Sequence, residues 1–198
     1  ALNNNPDYNE WMELYKKLVY WELEMKKSDS PEMQEVFQTQ KQEANIEFFK
    51  YVSKNYAGWV SPKSTDGPIM SNSLLKYKVI PHLEKGTTLF FVWIDNLRFD
   101  QWKAIQPIFA ESFRILEEDT FYAILPAATQ YARNAIFAGL LPIDIEKQFP
   151  VQWKNDDEEG GKNLHEEEFL KAQLKRLGKG DLKFSYTKIT NNNDGQKL

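Results

Sequence analysis

Cysteine is absent from the 198 residues, which excludes a disulfide framework and a thiolate metal site and fits a reducing compartment, so the cytoplasm is the expected location. Excess charge of one sign is lacking too. Lysine and arginine number 25 against 29 acids, a net charge of −4. Such a balance offers no broad field for duplex nucleic acid or an anionic membrane, and a small anionic substrate would need local help. Long apolar runs are missing: the longest, Leu89 to Ile94, falls far short of the roughly 20 residues that span a bilayer. No internal repeat is visible. The chain opens on Ala1 rather than Met, as a segment cut from something longer would. What is present is 41% hydrophobic residues, enough for a sizeable core in one domain plus an appendage.

The appendage is N-terminal. Tyr8, Trp11, Met12, Tyr15, Leu18 and Val19 recur at helical spacing and predict an amphipathic helix ending near Lys27. In SDSPE, Ser30 is the expected N-cap and Pro31 the first residue of a second helix. That helix carries Met33, Val36, Phe37, Ala44, Phe48 and Val52 toward Tyr56 and is expected to close at Gly58. Two antiparallel helices joined by a short loop follow. Residues 59–72 are rich in Pro, Ser, Gly and Thr and read as a linker. Residues 73–83 predict a helix that Pro81 kinks or ends.

Beyond Gly86 the pattern alternates. The run 88–94 fits an interior parallel strand covered on both faces. Asp100 is the expected cap of a helix reaching Ala110, and strands are expected at 113–118, 121–125 and 184–189. Helices are expected at Thr129–Ala138, with Gly139 as terminator, and at His165–Leu177. The fold class is therefore α/β, with a helical hairpin ahead of a layered sheet.

In such a sheet, ligands sit beyond the carboxyl ends of the strands. Asp95 ends the first strand, and Thr129 stands at the start of a helix whose N-terminal amides favour an anion. A carboxylate beside a buried strand is costly unless paired or metal-bound, and a metal would also activate a neighbouring hydroxyl. Both residues also have plainer readings: Asp95 as an Asx turn or cap, Thr129 as an N-cap. A haloacid-dehalogenase-like phosphatase would need a second Asp where Leu97 stands, and a receiver would need an acid that FYAILPAAT does not supply.

VWIDNLRFDQW, followed by FYAILPAATQYARNAIFAGLLP, resembles the PglZ domain of the alkaline-phosphatase superfamily, as it occurs in response regulators that join a receiver, a helical connector and a PglZ domain. The resemblance implies a connector at 1–58, a linker at 59–72 and, at 73–198, the N-terminal part of an alkaline-phosphatase-like domain whose layered sheet is incomplete in this chain. It implies a zinc-dependent phosphodiesterase or phosphatase, with Asp95 as a metal ligand and Thr129 as both metal ligand and catalytic nucleophile. The implied context is two-component control of type IX secretion and gliding. Oligonucleotides or cyclic nucleotides are the implied substrates, and a receiver domain, other signalling proteins and a second copy of the chain the implied partners.

The superfamily's remaining ligands are expected downstream of the region present, so this chain is expected to bind zinc weakly and hydrolyse little. The alternative is a non-catalytic scaffold for dimerisation or partner binding. His82 and His165 are expected at the surface or in a cap, and Arg98 and Arg133 in salt bridges rather than on phosphate. Asn134 is expected on substrate or against its neighbours, and the acidic run Asp156–Glu159 in a solvated loop rather than a calcium site. The tryptophans at 11, 21, 93 and 102 are expected in the core.

Overall fold

Asp7 opens the first helix with a reciprocal cap. Its carboxylate accepts from the backbone N–H groups of Asn9 and Glu10, and the Glu10 side chain accepts from the Asp7 N–H. A computed structural model describes residues 5–27, 30–62, 66–83 and 86–195. Within them, helix α1 spans Tyr8–Met25, α2 Pro31–Trp59, α3 Phe99–Ala110, α4 Thr129–Ala138, α5 Pro142–Gln148, α6 Glu166–Arg176 and α7 Asn192–Gly195. The chain forms two compact units, one of residues 1–69 with 90–122, the other of 70–89 with 123–198. No helix among the described residues is long and apolar enough to cross a membrane.

In the first unit, Ser30 caps α2 and Pro31 occupies its first position, as the sequence predicts. The two helices run antiparallel. Gln34 donates to the Met25 carbonyl at 3.4 Å, Lys41 pairs with Glu22 at 2.7 Å, and Phe48 meets the Trp11 ring edge-on at 5.3 Å. Each step up one helix is thus a step down the other. The expected stop at Gly58 is corrected, since α2 continues to Trp59. Trp59 packs on Tyr51 at 5.6 Å and on Tyr122 at 5.3 Å, and that packing holds the last turn against the weak helical preference of glycine. Trp21 is also corrected: it is 52% exposed, whereas Trp11 is buried.

Helix α3 starts two residues earlier than expected. Arg98, not Asp100, is its N-cap; Gln101 Oε1 accepts from the Arg98 N–H at 3.0 Å, and Asp100 lies in the first turn. Below this helix the Glu118 carboxylate accepts from Trp102 Nε1 at 2.7 Å, Gln106 Nε2 at 2.9 Å and Lys103 Nζ at 3.2 Å. Burial pushes this carboxyl upward, but the three donors outweigh it and the net shift is below the ordinary range. The depressed pKa stabilises the fold above the unfolded value of about 4.5 and ceases to do so as pH falls through the folded value. Glu118→Gln should therefore lower stability by about 1–2 kcal/mol near neutrality, and the gap from wild type should close in acid. Urea denaturation at pH 7 and below pH 4 measures both.

Among the described residues the expected sheet is not seen. Residues 88–94, 113–118 and 184–189 carry no regular secondary structure, and 121–125 holds only an isolated bridging residue at Tyr122. A strand is defined by its ladder, and these segments spend their polar and apolar groups elsewhere. Tyr122 inserts into the aromatic cluster of the helical pair, where its hydroxyl donates to the Tyr8 carbonyl at 3.0 Å. Phe90 is 86% exposed and Val92 74%, so the run read as an interior strand is not covered on both faces.

In the second unit, residues 71–82 break into a 3₁₀ turn, a π turn and a further 3₁₀ turn instead of one helix. Pro81 lacks the N–H that would continue an α ladder, and the Ile80 N–H reaches back to Leu75. The expected α4 is observed with its own boundaries, and Gly139 ends it in the left-handed region at φ 62°. Helix α5, which the sequence reading passed over, begins on Pro142. Ala135, Ile136, Phe137 and Ala138 of α4 and Phe169 and Leu174 of α6 are buried, with Phe149 edge-on to Phe169 at 5.2 Å.

Candidate functional site

Asp95 belongs to the first unit. It sits in the turn between residues 89–94 and α3, followed by Asn96 in the left-handed region at φ 58°, a conformation asparagine tolerates better than most residues. Ile94, Asp95, Asn96 and Leu97 with Gln101, Ala104 and Ile105 line an open depression of about 510 Å³. Asp95 is exposed. The desolvation argument for a cation at this carboxylate therefore lapses, because water solvates it.

Thr129 belongs to the second unit and is the first residue of α4. The N-cap is Ala128, which has no side chain to accept from the first turn, so Thr129 does not itself cap. Its side chain is exposed at the positive end of the helix. The Leu125–Pro126 peptide leading into this turn is cis. The acidic loop folds beside the same turn. Gln130 Nε2 donates to Asp156 Oδ1 at 2.5 Å, and the Tyr131 hydroxyl and this amide together hold the Asp156 carboxyl below its ordinary range. Asn163 Nδ2 reaches the Thr129 carbonyl at 3.5 Å and Asn134 Oδ1 at 3.0 Å.

Other candidates resolve into structural partners. Arg98 makes a two-pronged pair with Asp100, both contacts at 2.9 Å, and Arg133 pairs with Glu166 at 2.9 Å. Asn134, only 2% exposed, faces its neighbours. His82 is exposed in a short 3₁₀ turn, and His165 is the N-cap residue of α6 with Nδ1 3.0 Å from Glu168. Residues 155–161 are exposed, the solvated loop expected of them.

Asn163, Glu166 and Lys188 were passed over in the sequence. Glu166 opens an EEE triplet that reads as a solvated first turn, yet it is 2% exposed. Its signal was the spacing Glu166, Phe169, Gln173, Leu174, one continuous buried face of α6.

Zinc takes about four ligands. One carboxylate and one hydroxyl do not make such a site, and among the described residues no three His, Cys, Asp or Glu side chains cluster as a metal centre would require. The described residues alone do not fit the ion.

Residues 1–60 match the PorX response regulator linker domain, and residues 74–198 match the BREX system PglZ alkaline phosphatase-like domain. No curated protein matches the chain. Alkaline-phosphatase-like proteins usually bind metal ions, and the matched region holds both Asp95 and Thr129. With the greater part of its length inside the second match, the chain belongs to the PglZ alkaline phosphatase-like family and carries a PorX-type response-regulator linker ahead of that domain.

Proposed function

We propose that the chain contributes the nucleophile-bearing part of a phosphoester hydrolase, the output domain of a cytoplasmic two-component response regulator. The observation that carries this reading is Thr129: an exposed hydroxyl on the first residue of α4, at a helix terminus with no capping side chain, inside the matched domain. Amides of a first turn attract phosphate oxygens. The Thr129 oxygen would attack phosphorus as its own proton passes to solvent, the bond to the leaving alcohol would break as that alcohol takes up a proton, and water would then free the threonine, releasing a phosphomonoester from a diester substrate or phosphate from a monoester.

Asp95 is proposed as a ligand of a metal ion, zinc by family resemblance. Oligonucleotides or cyclic nucleotides are the proposed substrates, and type IX secretion with gliding the proposed context. A receiver domain and a second copy of the chain are the proposed partners, and the domain boundaries at 58 and 72 belong to the same proposal.

Hydrolysis of bis-p-nitrophenyl phosphate by the full-length protein tests it. Thr129→Val removes the hydroxyl with little change in volume and should leave less than about a hundredth of kcat, a loss of about 2.7 kcal/mol in transition-state stabilisation. Thr129→Ser should keep a measurable fraction. A fully active Thr129→Val protein would rule Thr129 out as the nucleophile, and a full-length wild type that fails to hydrolyse the ester would favour a non-catalytic scaffold for dimerisation or partner binding.

A further inference from the structure

The turn that presents Thr129 has no side-chain cap of its own, yet it is tied down from outside α4. Asn134, one turn further along, is 2% exposed and uses both ends of its amide. Its Nδ2 donates to the Lys162 carbonyl at 3.0 Å, and its Oδ1 accepts from Asn163 Nδ2 at 3.0 Å. Asn163 Nδ2 is also 3.5 Å from the Thr129 carbonyl, a long contact that the shorter pair to Asn134 brings into range. The Asn163 carbonyl in turn accepts from Lys188 Nζ, and Lys188 lies 3.3 Å from the Glu166 carboxylate, which pairs with Arg133 of α4 at 2.9 Å. The chain of contacts leaves α4 at Asn134 and returns to it at Arg133.

We infer that Asn163 is a positioning residue for Thr129: through Asn134 it fixes the first turn of α4 so that the hydroxyl is held in one place rather than on a fraying helix end. The inference rests on the reading of Thr129 as nucleophile. An α-helix start without a cap leaves four N–H groups unsatisfied and frays. Nucleophilic displacement is sensitive to placement errors of about 1 Å. A network that is buried and bonded at both ends of the Asn134 amide is the kind that fixes geometry, because breaking it strands a polar group out of water. Asn163 itself is only partly buried, so its amide can be altered without opening the core.

The test replaces Asn163 in the full-length protein. Asn163→Asp keeps the shape but removes the donor to Asn134 and Thr129; Asn163→Leu removes both polar atoms. Each should lower kcat on bis-p-nitrophenyl phosphate by about tenfold per folded molecule, with KM changed less than twofold. Hydrogen exchange of the Tyr131 and Ala132 amides, which donate to the Ala128 carbonyl, should speed up, while those of α6 stay protected. A residue of purely structural importance would lower the melting temperature and leave kcat per folded molecule unchanged, and that result overturns the inference. Unchanged exchange at Tyr131 and Ala132 overturns it as well, whatever the activity. If Thr129→Val is fully active, the reading of Thr129 as nucleophile has failed; if Thr129→Val is dead while both Asn163 variants keep wild-type kcat, only the positioning role has.

Discussion

Glu166→Ala is expected to destabilise the second unit by about 3–5 kcal/mol, the range found when one partner of a buried ion pair is deleted. Glu166 is 2% exposed, and its carboxylate is shared by Arg133, whose side chain is 14% exposed, and by Lys188 at 35%. Removing the acid leaves the Arg133 guanidinium on the buried side of α4 without its counter-charge, and a stranded charge is far more costly than a missing attraction. The pair itself adds little net stability, because desolvating both ions offsets most of their attraction. Hence the double variant Glu166→Leu with Arg133→Met should recover most of what the single change loses. Urea denaturation followed by the fluorescence of Trp153, which packs on Tyr131, with the other five tryptophans replaced by phenylalanine, measures both. A single-variant loss below 1 kcal/mol would show that water reaches the pair in solution.

Gly139→Ala should cost about 3 kcal/mol from two sources. At φ 62° an L-residue carries a penalty of about 1–2 kcal/mol. A β-carbon there would also lie 2.6 Å from Gln173 Cδ and 2.8 Å from its Nε2. That amide cannot swing aside freely: it is 3% exposed and donates to the carbonyls of Ile136 at 2.8 Å and Phe137 at 2.9 Å. Displacing it leaves two α4 carbonyls short of a donor, at about 1–3 kcal/mol. Asn tolerates the left-handed region but brings the same β-carbon, so Gly139→Asn should recover only the conformational part. Equal stability of Gly139→Asn and wild type in thermal melts would show that the contact with Gln173 yields easily.

The helices were legible because their signals are local. Ser30 followed by Pro31, the spacing of Trp11, Tyr15 and Val19, and Gly139 after an apolar stripe each depend on residues within a turn or two. The family was legible for a similar reason, since DNLRFDQW and ATQYARNAIF are contiguous. The sheet was not, because an apolar run such as 89–94 states only that burial is wanted and never names the neighbour that supplies it. Asp95 illustrates the consequence. Its role was argued from a buried strand end, and it is exposed, so the physical premise went while the motif stayed. The buried Glu166 was hidden in the opposite way, by a charge run that looks solvated until the face of α6 it shares with Phe169 is considered.

The chain passes between its compact units three times, after residues 69, 89 and 122. Neither unit is therefore a contiguous stretch that a gene fragment could encode by itself. Starting expression near residue 73 would strip Tyr122 of Phe48 and Trp59 and of the Tyr8 carbonyl it donates to, leaving an orphaned aromatic and residues 90–122 without their scaffold. Swapping the linker helices between relatives would thus rewrite part of the native packing of residues 90–122, and chimaeras joined there should be screened for solubility before any are screened for signalling.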